Sequence, residues 1–145
     1  MSFTINSQEP IHDNKHIIIG NYYFSPKHRG QSTRAARIST WKCSIKEEYD
    51  LMNDSINKMF YVQDNNLFHS YNLIKGLPIL GENDIHPKLR IAKFVESVPN
   101  LWHGYPADHI SNNQDRPETT ILAEMNKIGL ITPSLMRKIS KGQKI

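Results

Sequence analysis

A chain of 145 residues with a formal net charge of +4 and a pI near 9.2 is long enough to bury about two thirds of its unfolded surface in one core, so it needs no disulfide support. Its one cysteine, Cys43, excludes an internal disulfide and a thiolate metal cage. No run reaches the roughly 18 apolar residues of a bilayer span, and the start from Met1 to Asn6 lacks the basic and apolar blocks of a signal peptide, so a single cytoplasmic domain over residues 1–145 with no membrane association is expected.

Residues 1–14 are polar and without periodicity and read as an arm. Residues 14–46 then hold no carboxylate but seven basic side chains: Lys15, Lys27, Arg29, Arg34, Arg37, Lys42 and Lys46. The remainder of the chain is therefore net negative, and the charge is lopsided. Within this window the β-branched and aromatic run from His16 to Phe24, with Gly20 as a bend, reads as a strand. The stretch from Ser25 to Ser32 reads as a loop. Residues 35–45 alternate, with Ala36, Ile38 and Thr40 on one face and Arg37, Ser39, Trp41 and Cys43 on the other. The two segments read as a hairpin with a basic loop.

Tyr49, Met52, Ile56 and Met59 follow Ile45 at steps of three and four, which predicts a helix over roughly residues 46–58 capped by Ser44. Met59 to Gln63 fits either the end of that helix or a strand; residues 67–73 read as a strand. A strand is expected over residues 88–96 after Pro87. Next comes the densest cluster of reactive side chains, from Trp102 to His109, expected as a loop held between a strand and a helix. Asp115, Pro117 and Glu118 have the form of a capping box, opening a helical pair over residues 117–141 with Gly129 as the stop and Thr132 as the second cap. The fold class that follows is α+β: a small antiparallel sheet of about four strands, one internal helix and a C-terminal helical pair.

Several functional readings attach to these elements. The acid-free window would lay Lys27, Arg29, Arg34, Arg37 and Lys42 along a phosphate backbone while Tyr22, Tyr23 or Trp41 stacks on a base, so the leading expectation is a module binding RNA, DNA or another polyanion. The C-terminal pair resembles the DNA-binding helix-turn-helix in outline, with Arg137, Lys138 and Lys141 on its second helix and Met125 where that motif carries a small residue; the resemblance spans only these two helices and implies a further nucleic-acid contact. A second reading is a metal-independent phosphodiesterase centred on His103 and His109, with Asp108 beside them as a further acid or base, Arg116, Arg34 or Arg37 as the cation that holds the phosphorane charge, and Gly104 admitting a ligand close to the backbone. A third is an interaction or inhibitory module whose basic hairpin meets an acidic protein. The pairs His12 with His16 and His103 with His109 lack the surrounding pattern of a zinc site, and no phosphate-binding glycine loop or nucleophile elbow occurs, so no metal or cofactor is expected.

Overall fold

The computed structural model describes residues 11–13, 16–19, 21–30, 38–64 and 67–145. Lys15, Arg34, Arg37 and most of the expected arm lie outside them, as do residues 31–32 of the expected basic loop. The elements in chain order are β1 (Ile11–Asp13), β2 (His16–Ile19), β3 (Tyr22–Phe24), a 3₁₀ turn (Pro26–Arg29), β4 (Thr40–Trp41), α1 (Ile45–Asn57), β5 (Tyr61–Asp64), β6 (Leu67–Asn72), β7 (Gly81–Glu82), β8 (Ile91–Val98), β9 (Leu101–Ala107), a second 3₁₀ turn (Asn113–Asp115), α2 (Thr119–Lys127) and α3 (Pro133–Ser140).

The class is α+β, but the sheet is larger than expected and mixed. Its order is β1-β2-β3-β9-β8-β6-β5, with β4 and β7 forming a separate pair. All contacts within the large sheet are antiparallel except the seam between β3 and β9, which is parallel and registers Tyr22 against Trp102. The expected hairpin between residues 16–24 and 35–45 does not form among the described residues. Strand β3 takes β2 and β9 as neighbours, while Thr40 and Trp41 pair with Glu82 and Gly81. Alternation in the sequence marks a strand but carries no information about its neighbour.

The helix ends follow their local chemistry. The Ser44 side chain accepts from the Glu47 amide and the Glu47 carboxylate reaches back to the Ser44 amide, a complete capping box that opens α1. Asn57 ends α1, Met59 sits at φ 60°, and Tyr61–Asp64 is strand, which resolves the ambiguous stretch. Thr132 caps α3 through the Leu135 amide.

Two further expectations need correction. Trp102 to Pro106 is not a loop but the middle of β9, registered against β8 from Ile91↔Ala107 to Glu96↔Trp102. Its glycine and proline suggested loop because both weaken strands. Gly104 is required here because a Cβ would overlap the Phe94 ring and the Tyr22 hydroxyl, so the space it leaves is filled by core and not by a ligand. At Pro106 the strand has only β8 beside it in the sheet. The second correction concerns Asp115, which is not a helix cap: α2 begins at Thr119 with Glu118 in the cap position and no side-chain cap bond, and Asp115 lies buried in the preceding turn.

The two sheet faces bury different things. On the inner face, Tyr22, Phe94 and Trp102 pack with Leu51 and Met52 of α1 and with Phe24, Trp41 and Leu80. On the outer face, Ile121, Leu122 and Met125 of α2 and Ile139 of α3 cover Tyr71, Leu73, Ile91 and Ala107. Pleating sends successive residues of one strand to these opposite layers, as with Phe94 inward and Lys93 outward.

Candidate functional site

Beyond the edge of the C-terminal helices, the outer face carries a row of rings. Tyr23 stacks on His103 with centroids 5.1 Å apart, His103 lies 6.3 Å from His28, and His28 stacks on Tyr105 at 5.2 Å. The contributors come from β3, β9 and the first 3₁₀ turn, so the row exists only because the parallel seam brings residue 23 beside residue 103. Burial holds the His28 imidazole down to about 4 against the pull of the Ser39 carbonyl, and burial with the nearby His28 and Lys27 holds His103 at about 4. Both rings are therefore neutral near pH 7 and stack without charge repulsion. Nδ1 of His28 lies 2.9 Å from the Ser39 carbonyl, which can only accept, so Nδ1 carries the proton and Nε2 keeps a lone pair.

A polar network fixes the end of this row. Nζ of Lys93, itself buried, donates to the Gln114 carbonyl at 2.6 Å and to the Asp115 carboxylate at 3.3 Å, with its charge near the Tyr71 and Tyr105 faces. The Tyr105 hydroxyl donates to the same carboxylate at 2.9 Å, and the Asp108 amide donates to its other oxygen at 3.1 Å. Burial and the adjacent Asp115 carboxylate push the Tyr105 phenol far above its ordinary range, so it acts only as a donor. Asp115 thus joins β8, β9 and the following turn at one point, a role its place in an apparent capping box concealed.

Beside this network lies a cleft of about 190 Å³. His28 and Tyr105 supply ring surface, Asn83, Asn112 and Gln114 supply amides, Asp108 and Asp115 line it with carboxylates already taken up by hydrogen bonds, and exposed Lys27 stands at its margin. The amides were not singled out in the sequence, where the buried Asp115 has the form of a helix cap. The only signal for them was the crowding of polar residues between Asn112 and Asp115.

The sequence-predicted residues divide sharply. His103 joins the ring row, but no hydrogen bond, ion pair or ring contact connects it to Asp108, His109 or Arg116. Those three build a turn. The Asp108 carboxylate accepts from the Ile110 and Ser111 amides and from the Asn83 side chain; burial alone would raise its pKa, yet these bonds outweigh it and hold the group below its ordinary value. The Arg116 guanidinium donates to the His109 and Ile110 carbonyls and to Asn113. His109 is buried with Nε2 2.7 Å from the Gln143 carbonyl, and burial lowers its pKa. The acid, base and cation expected to converge are therefore parts of two separate arrangements.

The basic residues divide as well. Lys27, Arg137, Lys138 and Lys141 are exposed, the last three at the C-terminal end of α3. Lys42 pairs with Glu82 on the surface. Trp41 is in the core, its indole N–H donating to the Gly104 carbonyl at 3.2 Å, so it is not an exposed stacking ring. Arg29 is turned inward: it donates to the Glu48 carboxylate and to the Cys43 carbonyl. The Tyr22 hydroxyl donates to the other Glu48 oxygen. Burial raises Glu48 to about 7, opposed by both donors, and burial also raises the Cys43 thiol to about 11, which leaves it unreactive. Arg29 looked like a phosphate ligand because its buried partner lies on another element.

Among the described residues no group of three His, Cys, Asp or Glu side chains is placed to hold a metal ion, and no helix is long and apolar enough to cross a membrane. Comparison of the chain with protein-family models, with curated proteins and with solved structures returned no match.

Proposed function

We propose that this protein is a binding module for single-stranded nucleic acid. The observation that carries the reading is the cleft at the end of the ring row, where Tyr105 and His28 face amide side chains and the exposed Lys27 ammonium, without a carboxylate partner among the described residues, stands at the margin. A nucleobase offers a π-face for the rings and donor and acceptor edges for Asn112 and Gln114, and its phosphate supplies the counter-charge for Lys27. Neutral imidazoles suit such a site, since a charged pair of stacked histidines would repel each other before any base arrived. Arg34 and Arg37 follow Lys27 closely in the sequence and add two more positive charges to the same segment.

Fluorescence anisotropy with labelled single-stranded RNA and DNA over a salt series tests this reading. Affinity falls steeply with salt, and Lys27→Ala reduces the log–log slope by about 1, as removal of one phosphate contact should. Asn112→Ala weakens binding without altering that slope. Salt-independent binding, or none in either nucleic acid, would remove the proposal.

A further inference from the structure

The turn that supplies amides to the ring cleft has another side. Asp108 and Asn112 line that cleft, while His109 and Ile110 line a second one of about 310 Å³. On the facing turn Asn83 belongs to the first cleft and Ile85 and His86 to the second. The two clefts are therefore neighbours across one rim, made by residues 83–86 and 108–112. Hydrogen bonds hold the rim together: the Asn83 side chain donates to the Asp108 carboxylate and accepts from the Ile85 and His86 amides, and the His86 ring lies 2.9 Å from the Ser111 hydroxyl.

The last residues of the chain are fastened to this rim. The Gln143 carbonyl lies 2.7 Å from Nε2 of His109, and Arg116, which donates to the His109 and Ile110 carbonyls, packs so closely on Gly142 that a Cβ there would overlap it. Arg90 donates to the Ile145 carbonyl. Lys144 is thereby set on one wall of the second cleft, with Lys88 on the other. Three residues of chain span at most about 10 Å, so Asn112 of the ring cleft stands close to the Gln143 backbone that His109 holds.

The charge here is unbalanced. Residues 125–145 hold no carboxylate against five basic side chains. Arg137 and Lys138, in the last turn of α3, suit its negative end and need no ligand to explain them. Lys88 and Lys144 have no such account, and with Lys141 at the helix cap they make three exposed cations in no ion pair among the described residues. Of the carboxylates on the rim, Asp108 is taken up by three donors and Asp84 lines neither cleft. Exposed lysines alone would accept any anion. Their attachment to the rim of the ring cleft is what selects a polymer, because a strand with a base in that cleft must carry its next phosphates somewhere nearby.

We infer, on the basis of the nucleic-acid reading and dependent on it, that the bound strand continues over this rim and places its next phosphates on Lys88, Lys141 and Lys144, so that the partner is an oligonucleotide of about four or more nucleotides and not a free nucleotide. The test is fluorescence anisotropy over a salt series with labelled oligouridylates and oligothymidylates of two and of ten nucleotides. The decanucleotide binds at least about tenfold more tightly than the dinucleotide. Replacing Lys88, Lys141 and Lys144 together by alanine lowers the log–log salt slope for the decanucleotide by about 2, as loss of three single-strand phosphate contacts should. The dinucleotide, too short to reach them, keeps its slope. Lys75→Ala with Lys127→Ala, exposed cations that line neither cleft, leaves the decanucleotide slope as it was. Equal affinity for the two lengths, an unchanged slope in the triple variant while Lys27→Ala still lowers it, or an equal loss of slope from the Lys75 and Lys127 pair would each overturn the inference and leave the ring cleft standing. No binding at either length would remove the ring-cleft reading and the inference with it.

Discussion

The two sheet faces solve the same packing problem with different chemistry. Where α2 and α3 cover the outer face, the contacts are Ile121, Leu122, Met125 and Ile139 against Leu73, Ile91 and Ala107, with Tyr71 as the one phenol. The inner face carries larger rings and also buries an ion pair, Arg29 with Glu48, tied to the Tyr22 hydroxyl. The outer face beyond the helices is held by another such device, Lys93 with Asp115 and Tyr105. Aliphatic packing tolerates change of shape at a graded cost, whereas a buried charge network fails abruptly when one member is lost. The difference locates the rigid parts of this molecule in its polar knots, and the rings of the proposed binding cleft stand on one of them.

The largest effect should come from breaking the inner knot. Glu48→Ala leaves the Arg29 guanidinium without its carboxylate and is expected to cost about 3–5 kcal/mol in urea unfolding. The double replacement Arg29→Met with Glu48→Leu removes both charges and should recover most of that loss. If the double variant is as unstable as the single one, packing at this site and not charge matching sets stability. The outer knot is next. Asp115→Ala strips the acceptor from Lys93, Tyr105 and the Asp108 amide and should cost about 3 kcal/mol, while Asp115→Asn, which keeps one oxygen, costs less. The same substitution should loosen Tyr105 and weaken nucleic-acid binding by more than its effect on stability predicts; equal losses would separate the knot from the cleft.

The smallest effect concerns pH. His28 and His103 are held at about 4 in the fold against about 6.5 unfolded, so their contribution to stability is present above pH 6.5 and is lost as pH falls toward 4. Glu48 works in the opposite sense. Its pKa rises from 4.5 to about 7, so its contribution is present below pH 4.5 and declines as pH rises through 7. Between these limits two imidazoles outweigh one carboxyl, and stability should rise gently with pH. Replacing Glu48 by Gln removes the opposing group and should steepen the rise, and proton resonances of both imidazoles should titrate near 4. Titration near 6.5 would mean that the ring row is open to water.

What was legible in the sequence was what is decided locally. Ser44 with Glu47, Thr132 before Pro133, and Gly129 and Gly142 at φ 82° and 69° act within a few residues of themselves, and the ends of α1 and α3 and the stop of α2 followed from them. The strand expected over residues 88–96 followed from its own composition, and it forms at Ile91–Val98. What could not be read depends on partners distant in the chain. Arg29 is spent on Glu48, Trp41 is buried under Gly104, and Asp115 serves Lys93 in place of a helix end. Gly104 and Pro106 broke the strand pattern because one accommodates Phe94 and the other has a single sheet neighbour. Of the candidate site, the sequence supplied His103 and Lys27 as residues of interest; the ring row joining His103 to His28 and Tyr105 arises only from the tertiary arrangement.

The parallel seam at Tyr22 and Trp102 has one more consequence, for the order of assembly. Strands β5, β6, β8 and β9 connect through near neighbours in the sequence, so their contacts close short loops. Joining β3 to β9 instead closes nearly the whole span of the chain between residues 22 and 102, sealed by the Trp102 amide donating to the Asn21 carbonyl at 2.7 Å. Loop closure is more costly in entropy the longer the loop, and that cost falls before the seam returns any stability. The seam is thus the contact that topology makes slowest to form, and since Tyr23 and His28 reach His103 only across it, the ring row is completed when folding is completed.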